Sequence, residues 1–207
     1  RTKIGDTLIT GGITNQGLIS LQGGELETRN TTTNHLDIEA RDAVLRFRNG
    51  LINNADAQLS ITGGNVNVYG AVTNNVNGQV VIGGRSLTAF HDTFTNNGNL
   101  LVTPGSELLT LENLSFGVGA SLSLQLQGED PPSGTDPIDG FGQLQVGGAA
   151  TLAGTLNVSL LDGFTPEAGD SFQFLLGQSV TGTFVATNLP ALSEGLKWNV
   201  QYAASSV

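Results

Sequence analysis

The sequence predicts an all-β fold: a parallel β-solenoid of rungs about twenty residues long, followed by a C-terminal β module. Three observations predict it: a short motif that returns at near-constant spacing, an alternating apolar pair after each motif, and a glycine-rich corner after most pairs. Composition agrees, with 29 glycines, only 13% charged residues and no stretch that reads as an amphipathic helix.

The motif appears as Ile13-Thr14-Asn15-Gln16-Gly17, Ile52-Asn53-Asn54-Ala55, Val72-Thr73-Asn74-Asn75 and Phe94-Thr95-Asn96-Asn97, with a weaker Thr33-Asn34 between the first two. Asparagine tolerates left-handed backbone and bonds its own turn, so the recurrent Asn is read as satisfying corner groups rather than as a ligand row. The apolar pairs are Ile19/Leu21, Leu36/Ile38, Leu59/Ile61, Val80/Ile82, Leu100/Val102 and Leu122/Leu124; alternation places both members of a pair on one strand face. Corners follow at Gly23-Gly24, Gly63-Gly64, Gly83-Gly84 and Pro104-Gly105, where glycine accepts positive φ without a side-chain clash.

Beyond the corners, Leu26, Phe47, Val66, Leu87 and Leu108 recur at intervals of 21, 19, 21 and 21. Stacked rungs would align these five as one internal column, each burying its neighbour's apolar face. The same alignment sets Glu25 and Glu27 beside Arg46 and Arg48 as an external ladder of opposite charge, with Asn65 and Asn67, then Ser86 and Thr88, as the uncharged continuation outside. Exposed pairs contribute at most about 1 kcal/mol each, so this ladder specifies register more than stability.

The alternation stops at Gly128-Glu129-Asp130-Pro131-Pro132-Ser133-Gly134-Thr135-Asp136-Pro137, which holds three of the six prolines. The expected organisation is therefore a solenoid over 1–128, a Pro/Asp-rich loop over 129–140 and a C-terminal β module over 141–207, either continued solenoid or a small sandwich. Oxygen ligands in the loop make calcium the expected small ligand, through Glu129, Asp130, Asp136 and Asp139, although their spacing matches no EF-hand. No other cofactor is expected.

The runs Phe141 to Val158, Gly163 to Phe172 and Val180-Thr181-Gly182-Thr183-Phe184 resemble a module of large bacterial surface and secreted proteins. It is similar to the ends of autotransporter-like and haemagglutinin-like β-helix passengers and to the C-terminal module of planctomycete-type exoproteins, over residues 141–207. Phe141-Gly142 stands where that family usually has Tyr-Asp. The resemblance implies secretion and a stalk, adhesin or matrix role, and no reaction. The start at Arg1, without initiator Met or signal segment, predicts a processed or trimmed product, and the short final strand at Ser205-Ser206-Val207 predicts a precursor that continues.

The net charge of −10 opposes nucleic-acid phosphates and anionic headgroups, and no run of about 20 apolar residues would cross a bilayer as a helix. The absence of cysteine removes disulfides, thiolate catalysis and cysteine metal sites. His35 and His91 fall on separated rungs, and His91-Asp92 are strand neighbours that point to opposite faces, so triad chemistry is not expected. Asp37, Glu39, Arg41, Asp42, Arg46 and Arg48 read as one mutually neutralising outer patch rather than a polysaccharide lyase centre. Trp198 and Tyr202 alternate with Val200 and read as C-terminal core rather than as a sugar platform. Ice binding would need a regular threonine row, and Thr7, Thr10, Thr14 and Thr31 to Thr33 do not form one.

The expectation is thus a non-enzymatic extracellular or cell-surface structural protein, a matrix or stalk solenoid that assembles head-to-tail into filaments. Its partners would be copies of itself or other surface and matrix components. An adhesin module binding surface glycans is the alternative, and a lyase-like enzyme the lesser one.

Overall fold

The computed structural model describes the backbone of residues 2–4, 7–132 and 140–207 and the side chains of 10–132 and 140–207. Among the described residues there is no helix, and so none long and apolar enough to cross a membrane. The chain winds as a parallel β-solenoid with three strands to a rung.

The first rung is β1 (Thr2–Ile4), β2 (Thr7–Thr10) and β3 (Ile13–Asn15), and the second is β4 (Leu18–Gln22), β5 (Glu25–Thr28) and β6 (Thr32–Asn34). The third is β7 (Asp37–Arg41), β8 (Val44–Phe47) and β9 (Leu51–Asn53), and the fourth β10 (Gln58–Ile61), β11 (Asn65–Tyr69) and β12 (Val72–Asn74). The fifth is β13 (Gln79–Ile82), β14 (Leu87–Phe90) and β15 (Phe94–Asn96), and the sixth β16 (Asn99–Val102), β17 (Glu107–Thr110) and β18 (Leu114–Phe116). Then follow β19 (Ser121–Leu126) with a long β20 (Gln143–Leu152), β21 (Thr155–Leu160) with β22 (Leu175–Gly182), and β23 (Ala186–Asn188).

Strands of like position stack into three faces. The first face runs β1-β4-β7-β10-β13-β16-β19-β21-β23. The second and third run β2-β5-β8-β11-β14-β17 and β3-β6-β9-β12-β15-β18, and both end on β20, which turns the corner between them as one strand. Gly147-Gly148 makes that turn possible, because a Cβ at Gly147 would collide with the Leu111 carbonyl. Strands β20 to β23 continue the stack: β20 pairs with β17 and β18, β21 with β19, β22 with β20 and β23 with β21, all in parallel, and the segment after Asn188 adds no further stacked strand.

Alternation decides what is inside. On the first face Ile19, Ile38, Leu59, Val80, Leu100, Leu122 and Leu156 form one inward column, and Leu21, Ala40, Ile61, Ile82, Val102 and Leu124 the next. The second rung-pair is therefore Ile38/Ala40 rather than Leu36/Ile38, and Leu36 sits in the preceding corner, 44% exposed.

The expected column Leu26, Phe47, Val66, Leu87 and Leu108 does not form. Leu26 stacks on Leu45, which stacks on Val68 and then Phe90, while Phe47 stacks on Thr28, and Val66 on Thr88 and then Leu108. Corner lengths differ between rungs, so β5 and β8 are offset by 19 residues and β11 and β14 by 22. A slip of two keeps inside and outside unchanged, which is why Leu26, Phe47, Val66 and Leu108 are all buried. A slip of one reverses them: Leu87 lies between Asn65 and Glu107 on the outside, and Ser86 and Thr88, expected outside, are buried and joined by a 3.2 Å hydrogen bond.

Candidate functional site

The third face carries a buried polar column. Asn15, Asn34, Asn53, Asn74 and Asn96 stack directly, and each side chain is at most 6% exposed. Each Nδ2 donates to the next Oδ1, at 2.7 Å for Asn15 to Asn34 and 2.8 Å at the three following steps. The same amide groups donate across the corner to main-chain carbonyls at the start of the rung after next: Asp37, Gln58, Gln79, Asn99 and Ser121. These asparagines are thus internal fasteners, with no amide turned to solvent. The ladder stops where Phe116 takes the next position and packs edge-on against Phe184 at 5.8 Å.

A second, outer row lies beside it. Asn75 Nδ2 donates to Asn54 Oδ1 at 2.9 Å, and Asn54 Nδ2 lies 3.3 Å from the His35 ring. Asn54, Asn75, Asn97, Val76 and Val118 line an open trough of about 450 Å³, with the two valines 60% and 89% exposed.

On the second face the charge ladder is present between the residues the sequence named. Arg46 Nε bonds Glu25 Oε1, and Arg48 Nε lies 3.2 Å from Glu27 Oε1. The backbone register sets Glu27, not Glu25, opposite Arg46, so each arginine reaches back diagonally by one outward position. Arg48 holds the Glu27 carboxyl below its ordinary range, and Glu25 raises the Arg46 guanidinium. Arg46 also covers the Tyr69 ring, with Cζ 4.2 Å from the centroid, and Tyr69 stacks on His91 at 4.0 Å and 11°.

His91 Nε2 is 2.8 Å from Asn67 Oδ1, which makes Nε2 the protonated nitrogen. Burial, and then the Arg46 charge, lower its pKa below the ordinary 6.5. Asp92 turns instead to its own corner and accepts from Thr93 N at 2.7 Å. Sequence reasoning missed this guanidinium–phenol–imidazole stack because Tyr69 and His91 become neighbours only through the 22-residue offset of β11 and β14. The expected single charged patch is divided between faces: Asp37, Glu39 and Arg41 lie on β7, while Arg46 lies on β8 and Arg48 just beyond it. Asp42 lies between them at φ 47° and accepts from Asn65 N.

Of the expected calcium ligands, Asp136 and Asp139 lie outside the described residues. Asp170 pushes the Glu129 carboxyl up, followed by partial burial and the charges of Glu167 and Asp130. Among the described residues no group of three or more His, Asp or Glu is placed to hold a metal ion.

Toward the C-terminus a cavity of about 470 Å³ opens between the inner columns of the first face and the closing segment, lined by Leu124, Leu156, Val158, Phe172, Trp198 and Val200 among others. Trp198 packs half-buried against the core, 6.1 Å from the Phe172 ring, and its indole Nε1 donates to Pro190 O at 2.8 Å. It therefore belongs to the C-terminal packing and not to an exposed platform. Comparison with protein-family models, with curated proteins and with solved structures finds no match for this chain.

Proposed function

We propose that this chain is a non-enzymatic structural segment of an extracellular or cell-surface protein, a solenoid rod that acts as a stalk or assembles end to end. The observation that carries the reading is where the reactive groups point. Glu25 and Glu27 meet Arg46 and Arg48, Tyr69 meets His91, and His35 meets Asn54, so these side chains engage the neighbouring rung. Such interactions hold rungs in register along an axis. A parallel stack extends by adding a further rung, from the same chain or from another copy. The resemblance of residues 141–207 to β-helix passenger ends supports an extracellular setting.

Electron microscopy of the purified chain, at low and high concentration and with and without calcium, tests this. Nine strands on the first face, spaced about 4.8 Å apart, make a rod roughly 40 Å long. Ordered fibres with an axial repeat near that length are the expected result for an assembling subunit. Separate short rods at every concentration would leave a stalk segment and rule out assembly by this chain alone. Release of products from a polyuronide would overturn the non-enzymatic reading. The adhesive alternative rests on the Asn54–Asn75–Asn97 trough, and retention on immobilised glycans would favour it.

A further inference from the structure

The third face turns outward a column that the linear sequence conceals. Its middle positions stack in the order Thr14, Thr33, Ile52, Thr73, Thr95, Ser115, Thr151 and Thr181. Register thus assembles a threonine row, interrupted by Ile52 and Ser115, from residues 19 to 36 apart in the chain. In β6, β9, β12, β15 and β18 the residues on both sides of this position are buried, so it is the outward one. Strand spacing sets one such side chain every 4.8 Å or so along the axis.

Three independent features accompany the row. First, the spacing is mechanically fixed, because the Asn15–Asn96 amide ladder lies one residue away on the inner side, with 2.7–2.8 Å links. Second, the row itself carries no charge in a chain of net charge −10: Thr31, Gly50, Ala71 and Thr93 flank it on one side, and His35, Asn54, Asn75 and Asn97 on the other. The charged residues nearest in sequence are Asp92 and Glu112, three residues away in corners, and Arg29, Asp37, Arg48 and Asp56, four away, of which Asp37 begins β7 on the first face. Third, the hydroxyls are available. Those of Thr14, Thr33 and Thr73 have no side-chain partner among the described residues, and the Ser115–Thr95 and Thr181–Thr151 contacts are long, at 3.4 and 3.5 Å.

The row residues line no part of the Asn54–Asn75–Asn97 trough beside them, and an uncharged, periodic row offers no counter-charge for a polyelectrolyte. It suits a neutral crystalline surface. Crystalline polysaccharides are gripped by coplanar aromatic rings, and this row carries none; Tyr69 lies on the second face and Trp198 in the C-terminal packing. Ice is the neutral lattice that remains. Ions orient water about themselves and break its lattice, whereas threonine offers a hydroxyl that joins the lattice and a methyl group that holds neighbouring water in a cage.

We propose that the Thr14–Thr181 face binds the surface of ice. This goes beyond the structural reading and does not depend on whether the rods assemble. The test is partition of the purified chain into a slowly growing ice phase, with crystal shaping and inhibition of recrystallisation as second readouts. The native chain should be enriched in the ice fraction. The double variant Thr73→Lys/Thr95→Lys should lose that enrichment at an unchanged melting temperature. Ser60→Lys, which adds a charge to the outer side of the first face, should keep it, and Ile52→Thr, which completes the row, should increase it. Exclusion of the native chain from ice, or equal retention of the double variant, would overturn the proposal. So would retention on microcrystalline cellulose or chitin without retention on ice.

Discussion

At the scale of single residues, the molecule depends on polar groups placed where apolar ones would be expected. Asn74 is fully buried, accepts from Asn53, and donates to Asn96 Oδ1, Gly78 O and Asn99 O. Truncation would strand several of these partners away from water, since an unsatisfied buried group costs about 1–3 kcal/mol. Asn74→Ala should therefore lose about 2–4 kcal/mol in urea unfolding. Asn75→Ala, which removes a half-exposed outer link, should stay within about 1 kcal/mol. Equal losses from the two would refute the fastener role.

His91 gives the pH dependence at the same scale. Its folded-state pKa lies below 6.5, so the unfolded chain takes up the proton first as pH falls. The stability linked to neutral His91 is complete above its ordinary value and drains away as pH falls through the folded value. The urea midpoint should drop between about pH 7.5 and about pH 5.5, and His91→Gln should flatten that drop. An identical slope in the variant would place the titration elsewhere.

At the scale of elements, the corners control the fold more than the strands do. Each strand is short, three to six residues through most of the stack, and alternates with a period of two. What differs from rung to rung is the corner, and there glycine is required at particular places. Gly70 follows β11 at φ 92°, and a Cβ there would collide with the Phe47 carbonyl oxygen, which already accepts from Gly50 N at 2.8 Å. Gly70→Ala combines a left-handed backbone with a main-chain clash and should lower stability by about 2–4 kcal/mol. Gly17 has open space around its Cβ position and no positive φ, so Gly17→Ala should change stability by no more than about 0.5 kcal/mol. Thermal or urea unfolding of the pair separates a corner that needs glycine from one that merely contains it.

At the scale of the whole molecule, the three faces have different characters built from one repeat. The second face bears the ion pairs and the Arg46–Tyr69–His91 stack, and the third is neutral outside and laced with amides inside. The first contributes the longest apolar columns, continuous from Ile19 to Leu156. Each rung pairs only with its neighbours, so stability accumulates rung by rung and the axis is the direction of growth. That is why particle shape tests the proposed role: an assembling rod lengthens along its axis, a stalk segment stays near 40 Å by the strand-spacing estimate, and neither needs a pocket. The net charge of −10 disfavours lateral packing of like-charged rods.

The sequence by itself determined the kind of fold, the inside and outside of most strands though not of β14, the structural rather than ligand use of asparagine, and the partners in the Glu25–Arg46 and Glu27–Arg48 pairs. The first three follow from period-two alternation and from turn chemistry, which are local, and the last from the repeat length of about twenty residues. The tertiary structure alone decided which residue stacks on which. Corners that vary by one or two residues shift the register, so Leu26 meets Leu45 instead of Phe47 and Leu87 turns outward. The same shifts bring Tyr69 against His91 and align Thr73 with Thr95. Register is a long-range quantity, fixed when backbone ladders and the amide column close between rungs about twenty residues apart. Spacing along the chain constrains that closure without selecting it.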